Sequence, residues 1–258
     1  MLRYRTINAL TIVLLLLLSY FDRSYNIPWW YYALLILGWI LITIFGSFLI
    51  RWNYHLTSLH SNKNCINNEV AISFDDGPNS EYTPKVLALL KQYEAKATFF
   101  CIGENIEPHN DLLKKIIEEG HLVGNHTYTH SKGFGFFGTK KVIDELQKTN
   151  SIVHKLTGKE MRLYRPAFGV TNPNIKKALA INGVQSIGWS VRSLDTTDLS
   201  EAAIVKRITS NISKGDIILL HDTSAKTVAV LEQLLLFLQE KKLRSVTVDR
   251  LLQIEAYA

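Results

Sequence analysis

The sequence predicts an α/β domain with a mainly parallel sheet, preceded by an apolar helical hairpin. Three observations predict it. From Glu69 onward, short apolar runs of strand length alternate with stretches of helical spacing, the pattern of repeated βαβ units. Residues 7–21 and 27–50 are nearly free of charge, whereas the rest has the mixed composition of a globular domain. Residues able to do chemistry recur where the apolar runs stop and turns begin, the edge at which open α/β sheets present their ligands.

At 258 residues and 47% apolar content, the chain can build a sizeable core in one large domain or in a domain with an appendage. Its net charge of +6 and pI of about 9.2 suit an anionic surface such as a membrane or a glycan. No basic stripe with interleaved aromatics is visible, which argues against nucleic acid. Two cysteines, Cys65 and Cys101, without zinc-type spacing, exclude a disulfide framework. Cys101 reads as a small buried hydrophobe.

Arg3 and Arg5 precede the first apolar run, and no small-x-small cleavage site follows in residues 19–23, so the run reads as a retained anchor. Residues 22–26 form a polar turn. Pro28 then opens the cluster Trp29-Trp30-Tyr31-Tyr32, of the kind that sits at a membrane interface. The run to Ile50 is long enough to span a bilayer, which takes about 20 apolar residues; the first run is near the lower limit. A hairpin buried in a soluble fold is the alternative, and two all-round apolar helices are more economically explained by lipid. Counting Arg3, Arg5 and Arg51 by the positive-inside rule puts both ends of the hairpin, and the domain after it, in the cytoplasm by a small margin.

Residues 51–68 read as a polar linker. Strands are expected at 70–74, 97–102, 121–124, 162–164, 184–189, 216–220 and 245–247, and helices at 83–93, 111–119, 139–156, 174–181, 201–212 and 226–240. No internal repeat follows the hairpin.

The first strand ends in Ser73-Phe74-Asp75-Asp76-Gly77-Pro78. Alone this is an ordinary turn, since Asp, Gly and Pro favour turns for local reasons. Adjacent carboxylates at a strand end also point in different directions, so one can hold a metal while the other faces a substrate. His126 and His130, in Asn125-His126-Thr127-Tyr128-Thr129-His130, are spaced to share one face of a helical turn and reach one ion. With a carboxylate from another strand end they make a His₂-Asp site with open positions. Arg165, in Tyr164-Arg165-Pro166-Ala167-Phe168-Gly169, is either a surface charge or the group that keeps Asp75 ionised. Trp189 and Asp195 end another strand, where a buried Trp and a helix-capping Asp are an equal alternative. The apolar strand 217–220 ends in His221-Asp222, an imidazole at the mouth of the sheet and a candidate general acid.

Taken in order, these motifs resemble the polysaccharide deacetylase family with the NodB-homology domain, carbohydrate esterase family 4, over Glu69 to the C-terminus. The resemblance implies a distorted (β/α) barrel of NodB-homology type, with its site at the C-terminal ends of the strands. It implies Asp76, His126 and His130 as ligands of a divalent metal, usually zinc, which acts as a Lewis acid on the acyl carbonyl. It also implies Asp75 as general base for the attacking water and His221 as the acid that protonates the leaving sugar amine. Arg165 would position Asp75, Asp195 would orient His221, and the backbone N–H of Phe168 would hold the oxyanion. Leu219 and Trp189 would line the acyl pocket. Ala167 and Phe168 depart from the family's arginine motif, and Arg192 and Thr196 stand where Asp and Trp are usual, which bears on the sugar-binding wall.

The expected protein is a membrane-anchored, metal-dependent hydrolase removing N-acyl groups from amino sugars of a glycan such as peptidoglycan, with no nucleic-acid partner. Its anchor spans 1–50, its linker 51–68 and its catalytic domain 69–258. One alternative is a deacylase of lipid-linked amino-sugar precursors at the inner leaflet, which the charge count favours; family precedent favours envelope polysaccharide outside. The other is a glycan-binding protein without turnover.

Overall fold

A computed structural model describes residues 3–258. Two long helices come first, α1 (Tyr4–Tyr25) and α2 (Trp30–Phe48). Both are long and apolar enough to cross a membrane, with mean hydropathies of 1.5 and 1.9. Their large side chains stay exposed, Leu16, Phe21, Leu34 and Phe48 among them, so among the described residues much of the apolar surface that a soluble fold would bury is left uncovered.

The α/β body follows. Strand β1 (Ser58–Leu59) is followed by β2 (Glu69–Asp75), α3 (Tyr82–Gln92), β3 (Ala97–Cys101), α4 (Gly103–Ile106), α5 (Asn110–Glu118) and β4 (Leu122–Asn125). Next are α6 (Thr139–Thr157), β5 (Leu163–Tyr164), α7 (Pro173–Asn182), β6 (Gln185–Ile187), β7 (Val191–Arg192) and α8 (Glu201–Thr209). The chain closes with β8 (Ile217–His221), α9 (Ala225–Glu240), β9 (Arg244–Val246) and α10 (Val248–Leu252).

The strands form one sheet in the order β1-β6-β5-β4-β3-β2-β8-β7, with β9 pairing the start of β2. Every named pairing is parallel. The sheet curls into an incomplete barrel whose β1 and β7 edges do not pair. Strand β2 is buried on both faces, and alternation divides its side chains. Val70, Ile72 and Phe74 pack outward against helices α3, α8 and α9. Ala71 joins Phe100, Leu163, Ile187 and Leu219 in the barrel interior. In the outer layer α3 buries Val86, Leu87 and Leu90, each contributing about 1.5–3 kcal/mol by its removal from water.

Residues 51–68, expected as a polar linker, pack against the body. Ile50 enters the barrel-interior cluster with Trp189 and sits where a Cβ on Gly188 would meet it at 3.3 Å. The Ser58 and Ser186 hydroxyls bond at 2.7 Å as β1 pairs with β6. The end of α2 is docked as well. The Ser47 carbonyl accepts from the Thr171 N–H at 2.9 Å, and Gly46 lies so close to Tyr54 that a Cβ would strike its ring. Tyr4 N–H donates to Tyr54 O at 3.1 Å, so both ends of the hairpin lie on the side of the body.

Candidate active site

Strand β2 delivers the two acids. Asp75 continues the inward alternation of Ala71 and Ser73 and is 3% exposed. The chain then turns through Asp76, whose φ is 71°, and this left-handed step swings the second carboxylate away from the first. The register aligns Asp75 with Phe100 of β3 on one side and with His221 of β8 on the other.

Arg165 follows β5 and is fully buried. Its Nη1 donates to Asp75 Oδ1 at 3.2 Å and its Nη2 to Ser73 Oγ at 3.1 Å. Nε and Nη2 reach the carbonyls of Ile187 and Gly188 at 2.9 and 3.2 Å. The guanidinium also lies over the rings of Phe100 and Trp189, 4.3 and 5.3 Å from their centroids. A buried cation is tolerated when its donors are used and an anion faces it, and Asp75 is that anion.

His126 and His130 come from the segment after β4, in a loop rather than the helical turn their spacing suggested. Thr127 and His130 have positive φ values of 68° and 45°. The loop holds this shape because side chains take its amides: Asn125 Oδ1 accepts from Thr127 N–H, and Glu145 Oε2 accepts from Tyr128 and Thr129 N–H. His126 Nδ1 lies 2.9 Å from the Arg165 carbonyl, which can only accept, so Nδ1 carries the proton and Nε2 presents its lone pair. That Nε2 is 3.3 Å from Asp76 Oδ1, and His130 Nε2 is 3.5 Å from the same oxygen.

The three donor atoms lie within 4.8 Å of one another, and Asp76 Oδ1 is buried with no hydrogen-bond partner. Two imidazoles and a carboxylate around an orphaned oxygen fit a divalent cation with N/O preference. Charge agrees. Burial lowers the proton affinity of His126, Asp75 and Asp76 raise it, and the net direction is up, so the cluster favours a positive charge. Burial raises the Asp76 pKa, but the neighbouring histidines outweigh it and hold the carboxyl below its ordinary value. His130 is pushed down to about 4 by burial and by His126, which keeps it in the ligating form.

Across the mouth, His221 Nδ1 pairs with Asp195 Oδ1 at 2.8 Å, and the His221 N–H donates to Asp195 Oδ2 at 2.8 Å. Ser193 and Thr227 hydroxyls also donate to Asp195. Burial raises the Asp195 pKa, and these bonds with His221 reverse it to a net lowering. Burial lowers the His221 pKa, while Asp195, Asp75 and Asp76 reverse it to a net rise. Phe168, half exposed with φ 56°, places its ring 4.4 Å from His130. Gly169 has φ 72°, and a Cβ there would come within 2.7 Å of Trp189, so only glycine fits this turn. Trp189 and Leu219 share the buried interior cluster beneath. The structure thus brings all ten expected site residues to one end of the sheet.

Sequence reasoning missed the braces of the site. Asp222, next to His221, is fully buried, accepts from the Thr83 hydroxyl, and is pushed up to about 7, chiefly by burial. A Cβ on Gly77 would strike its carboxylate. Asn105 Nδ2 donates to the Asp76 carbonyl at 2.8 Å, and Ser73 and Glu145 act as described. Asp222 and Ser73 stand inside the motifs; Asn105 and Glu145 carry no local signal.

A parallel barrel with an Asp-His-His cluster, a buried Arg-Asp pair and an Asp-His pair at its C-terminal strand ends is an arrangement suited to metal-assisted hydrolysis. The chain belongs to the polysaccharide deacetylase family, whose profile matches residues 62–187, within carbohydrate esterase family 4. It is 35% identical over 189 residues to a peptidoglycan-N-acetylglucosamine deacetylase of Bacillus cereus, covering 72% of this chain and 68% of that one. A second deacetylase of that name from the same organism is 38% identical over 194 residues, covering 72% and 90%. A crystal structure of a peptidoglycan N-acetylglucosamine deacetylase superposes with a TM-score of 0.73 at 33% identity, covering 78% of this chain and 95% of that one.

Proposed function

We propose that this protein removes N-acetyl groups from N-acetylglucosamine residues of peptidoglycan, with a divalent cation, zinc by its donor set, held by Asp76, His126 and His130. The observation that carries the reading is the β2–β8 register, which sets Asp75 level with His221 on neighbouring strands next to that cluster. When bound, the cation would act as a Lewis acid on the acyl carbonyl and make water a better nucleophile. Asp75, held in place by Arg165, takes the proton from the attacking water as the C–O bond forms. The backbone N–H of Phe168 stabilises the oxyanion. As the C–N bond breaks, His221 gives its Nε2 proton to the leaving amine, releasing acetate and the free amino sugar. Asp195, accepting from Nδ1–H, stabilises the imidazolium form of His221, the form that carries a proton on Nε2 to give. Trp189 and Leu219 form the wall against the acetyl methyl group. The names of the relatives support peptidoglycan as the substrate.

The test is amine release from purified peptidoglycan and from acetylated chito-oligosaccharide by the zinc-loaded full chain. Release that needs the metal supports the reading, and binding without release overturns it in favour of a glycan-binding protein.

Two further outcomes are expected. His130→Ala should weaken zinc binding about ten-fold or more, since even the removal of an outer partner of a ligand costs that much, as read by chelator competition. Unchanged affinity removes His130 from the ligand set. In Asp195→Asn the alkaline limb of kcat/KM should move to lower pH. The reason is sign: Asp195 raises the His221 pKa, so its charge keeps the acid protonated to higher pH, and its loss lets the proton go earlier. A limb that stays in place excludes His221 as the acid.

In the same reading α1 and α2 enter the bilayer as an anchor, residues 69–258 form the catalytic unit, and the body faces the cell wall. The flanking Arg3, Arg5 and Arg51 favour the other side, where a lipid-linked amino-sugar precursor would be the substrate. Cys65 is partly exposed and Cys101 is buried, so a membrane-impermeant thiol reagent reads Cys65 alone. Labelling in intact cells supports the outward reading, and labelling only after permeabilisation supports the inner-leaflet one.

A further inference from the structure

We propose that the sugar deacetylated at this site is one still joined to a membrane lipid, because the anchor holds the mouth of the barrel at the headgroup layer. The inference rests on the hydrolase and membrane readings above. The charge count ties a lipid-linked substrate to one side of the bilayer, whereas the docking of α2 ties it to whichever side the body occupies. Exposed apolar side chains continue along α2 through Phe45 and Phe48 to Leu49, with Trp52 after them, so lipid reaches the level of Ser47. The Ser47 carbonyl accepts from Thr171 N–H at 2.9 Å. Thr171 is three residues from Phe168, whose ring centroid lies 4.4 Å from that of His130. Consecutive Cα atoms are about 3.8 Å apart, so the Phe168 Cα lies at most about 16 Å from the Ser47 carbonyl. The polar layer of a bilayer is about 5–8 Å thick on each side, so the site lies within that layer or no more than about 10 Å beyond it.

An anchor sets the height of a site only if the joint is stiff, and this joint is clasped at several points. Tyr54 packs its ring on Gly46 and places its hydroxyl 3.1 Å from Thr43 Oγ1. Its carbonyl accepts at 3.1 Å from the Tyr4 N–H, at the start of α1. Ile50 lies against Gly188, whose carbonyl accepts from Arg165 Nη2 at 3.2 Å. The chain leaving α2 therefore touches the residue that holds the buried guanidinium of the site. A second feature stands beside the same docking point. Phe136, on the loop after the histidine pair, is 94% exposed, an aromatic of the kind that settles at a membrane interface. Its neighbour Gly135 is tied by its carbonyl to Asn172 Nδ2 at 2.8 Å, next to the Thr171 that α2 holds. A flexible tether of about 20 residues would let the site roam about 25 Å from the membrane. A clasped joint keeps it low, where a sugar carried on a lipid phosphate presents its acetamide by its own attachment.

The test uses the zinc-loaded full chain in nanodiscs and reads amine release from three substrates. They are an N-acetylglucosamine disaccharide joined through phosphate to a polyprenol in the same disc, the free disaccharide, and purified peptidoglycan. The wild type should favour the lipid-linked sugar about a hundred-fold or more in kcat/KM over the other two. To free the body, Gly46→Leu is combined with an insertion of about twelve Gly/Ser residues after Arg51. This variant should keep the wild-type rate on the free disaccharide, which reports an intact site, and should lose the preference for the lipid-linked sugar. Phe136→Asp, a change at an exposed side chain, should lower lipid-linked turnover several-fold and leave the free disaccharide unaffected. Wild-type release from peptidoglycan as fast as from the lipid-linked sugar overturns the proposal and leaves the hydrolase reading standing. A freed variant that keeps the wild-type preference overturns the role of the docking. No release from any of the three overturns the hydrolase reading itself. Removal of the wild type from membranes by alkaline washing overturns the membrane reading.

Discussion

Replacement of Asp75 by asparagine is expected to lower kcat about 10²–10⁴-fold, the range that a positioned general base contributes. The substitution isolates the proton-accepting role because it is nearly isosteric. The new amide would keep an oxygen for Arg165 Nη1, which now donates to Asp75 Oδ1 at 3.2 Å, and would keep the shape of a site that is 3% exposed. What it removes is the ability to take a proton at neutral pH. Asp75 Oδ2 is also 3.8 Å from His126 Nε2, so bound metal must be measured in parallel. A variant with full zinc occupancy, similar KM and collapsed kcat would assign the base to Asp75. Unchanged turnover at full occupancy would remove it from the mechanism.

Much of that site was legible in the sequence because its carriers are strand ends. A strand buried on both faces reads as a continuous apolar run, so Val70 to Phe74 and Ile217 to Leu220 mark their own boundaries, and the polar residue after each run is by construction at the mouth. The parallel register then needs no further information to set Asp75 beside His221. The two-residue strands β1 and β7 were not expected, since two residues do not define a period; β5, equally short, was expected within 162–164, before the Arg165-Pro166 turn. Residues 51–68 read as a linker because their polarity is real, yet Asn53, His55 and Ser58 are buried. Their partners, Ser47 and Ser186 among them, lie on other elements.

The histidine loop shows the same limit in its backbone. The i, i+4 spacing of His126 and His130 is equally compatible with a helical turn and with the observed loop. Glu145, far along the chain on α6, decides for the loop by taking the amides of Tyr128 and Thr129. Spacing singled out the two imidazoles that the fold brings together, without their backbone conformation. Asp222 is a related case: its place in the motif was visible, but its packing against Gly77 is a contact between the ends of β2 and β8 that only the folded sheet creates.

Arg165→Met is expected to destabilise the protein by about 3–5 kcal/mol, the cost of removing one partner from a buried ion pair. Methionine fills much of the volume, so the loss is chiefly electrostatic. It leaves Asp75 buried without its cation, and it leaves the Ser73 hydroxyl and the carbonyls of Ile187 and Gly188 without the donors they now have. Arg165→Lys should recover only part of this, because a single ammonium cannot reach four acceptors arranged for a planar fork. The pair is separated from the rest by a double-mutant cycle. Adding Asp75→Asn to Arg165→Met removes the uncompensated charge, so the double variant should be more stable than the sum of the single losses, with a coupling energy of about 1–3 kcal/mol. Urea-unfolding midpoints of the full chain in detergent measure all four corners. Strict additivity would mean that Arg165 acts through its carbonyl contacts and its packing on Phe100 and Trp189, with Asp75 held by other means. A positive coupling would mean that Asp75 is held in place by the same guanidinium that closes the barrel interior, tying turnover to the stability of the fold.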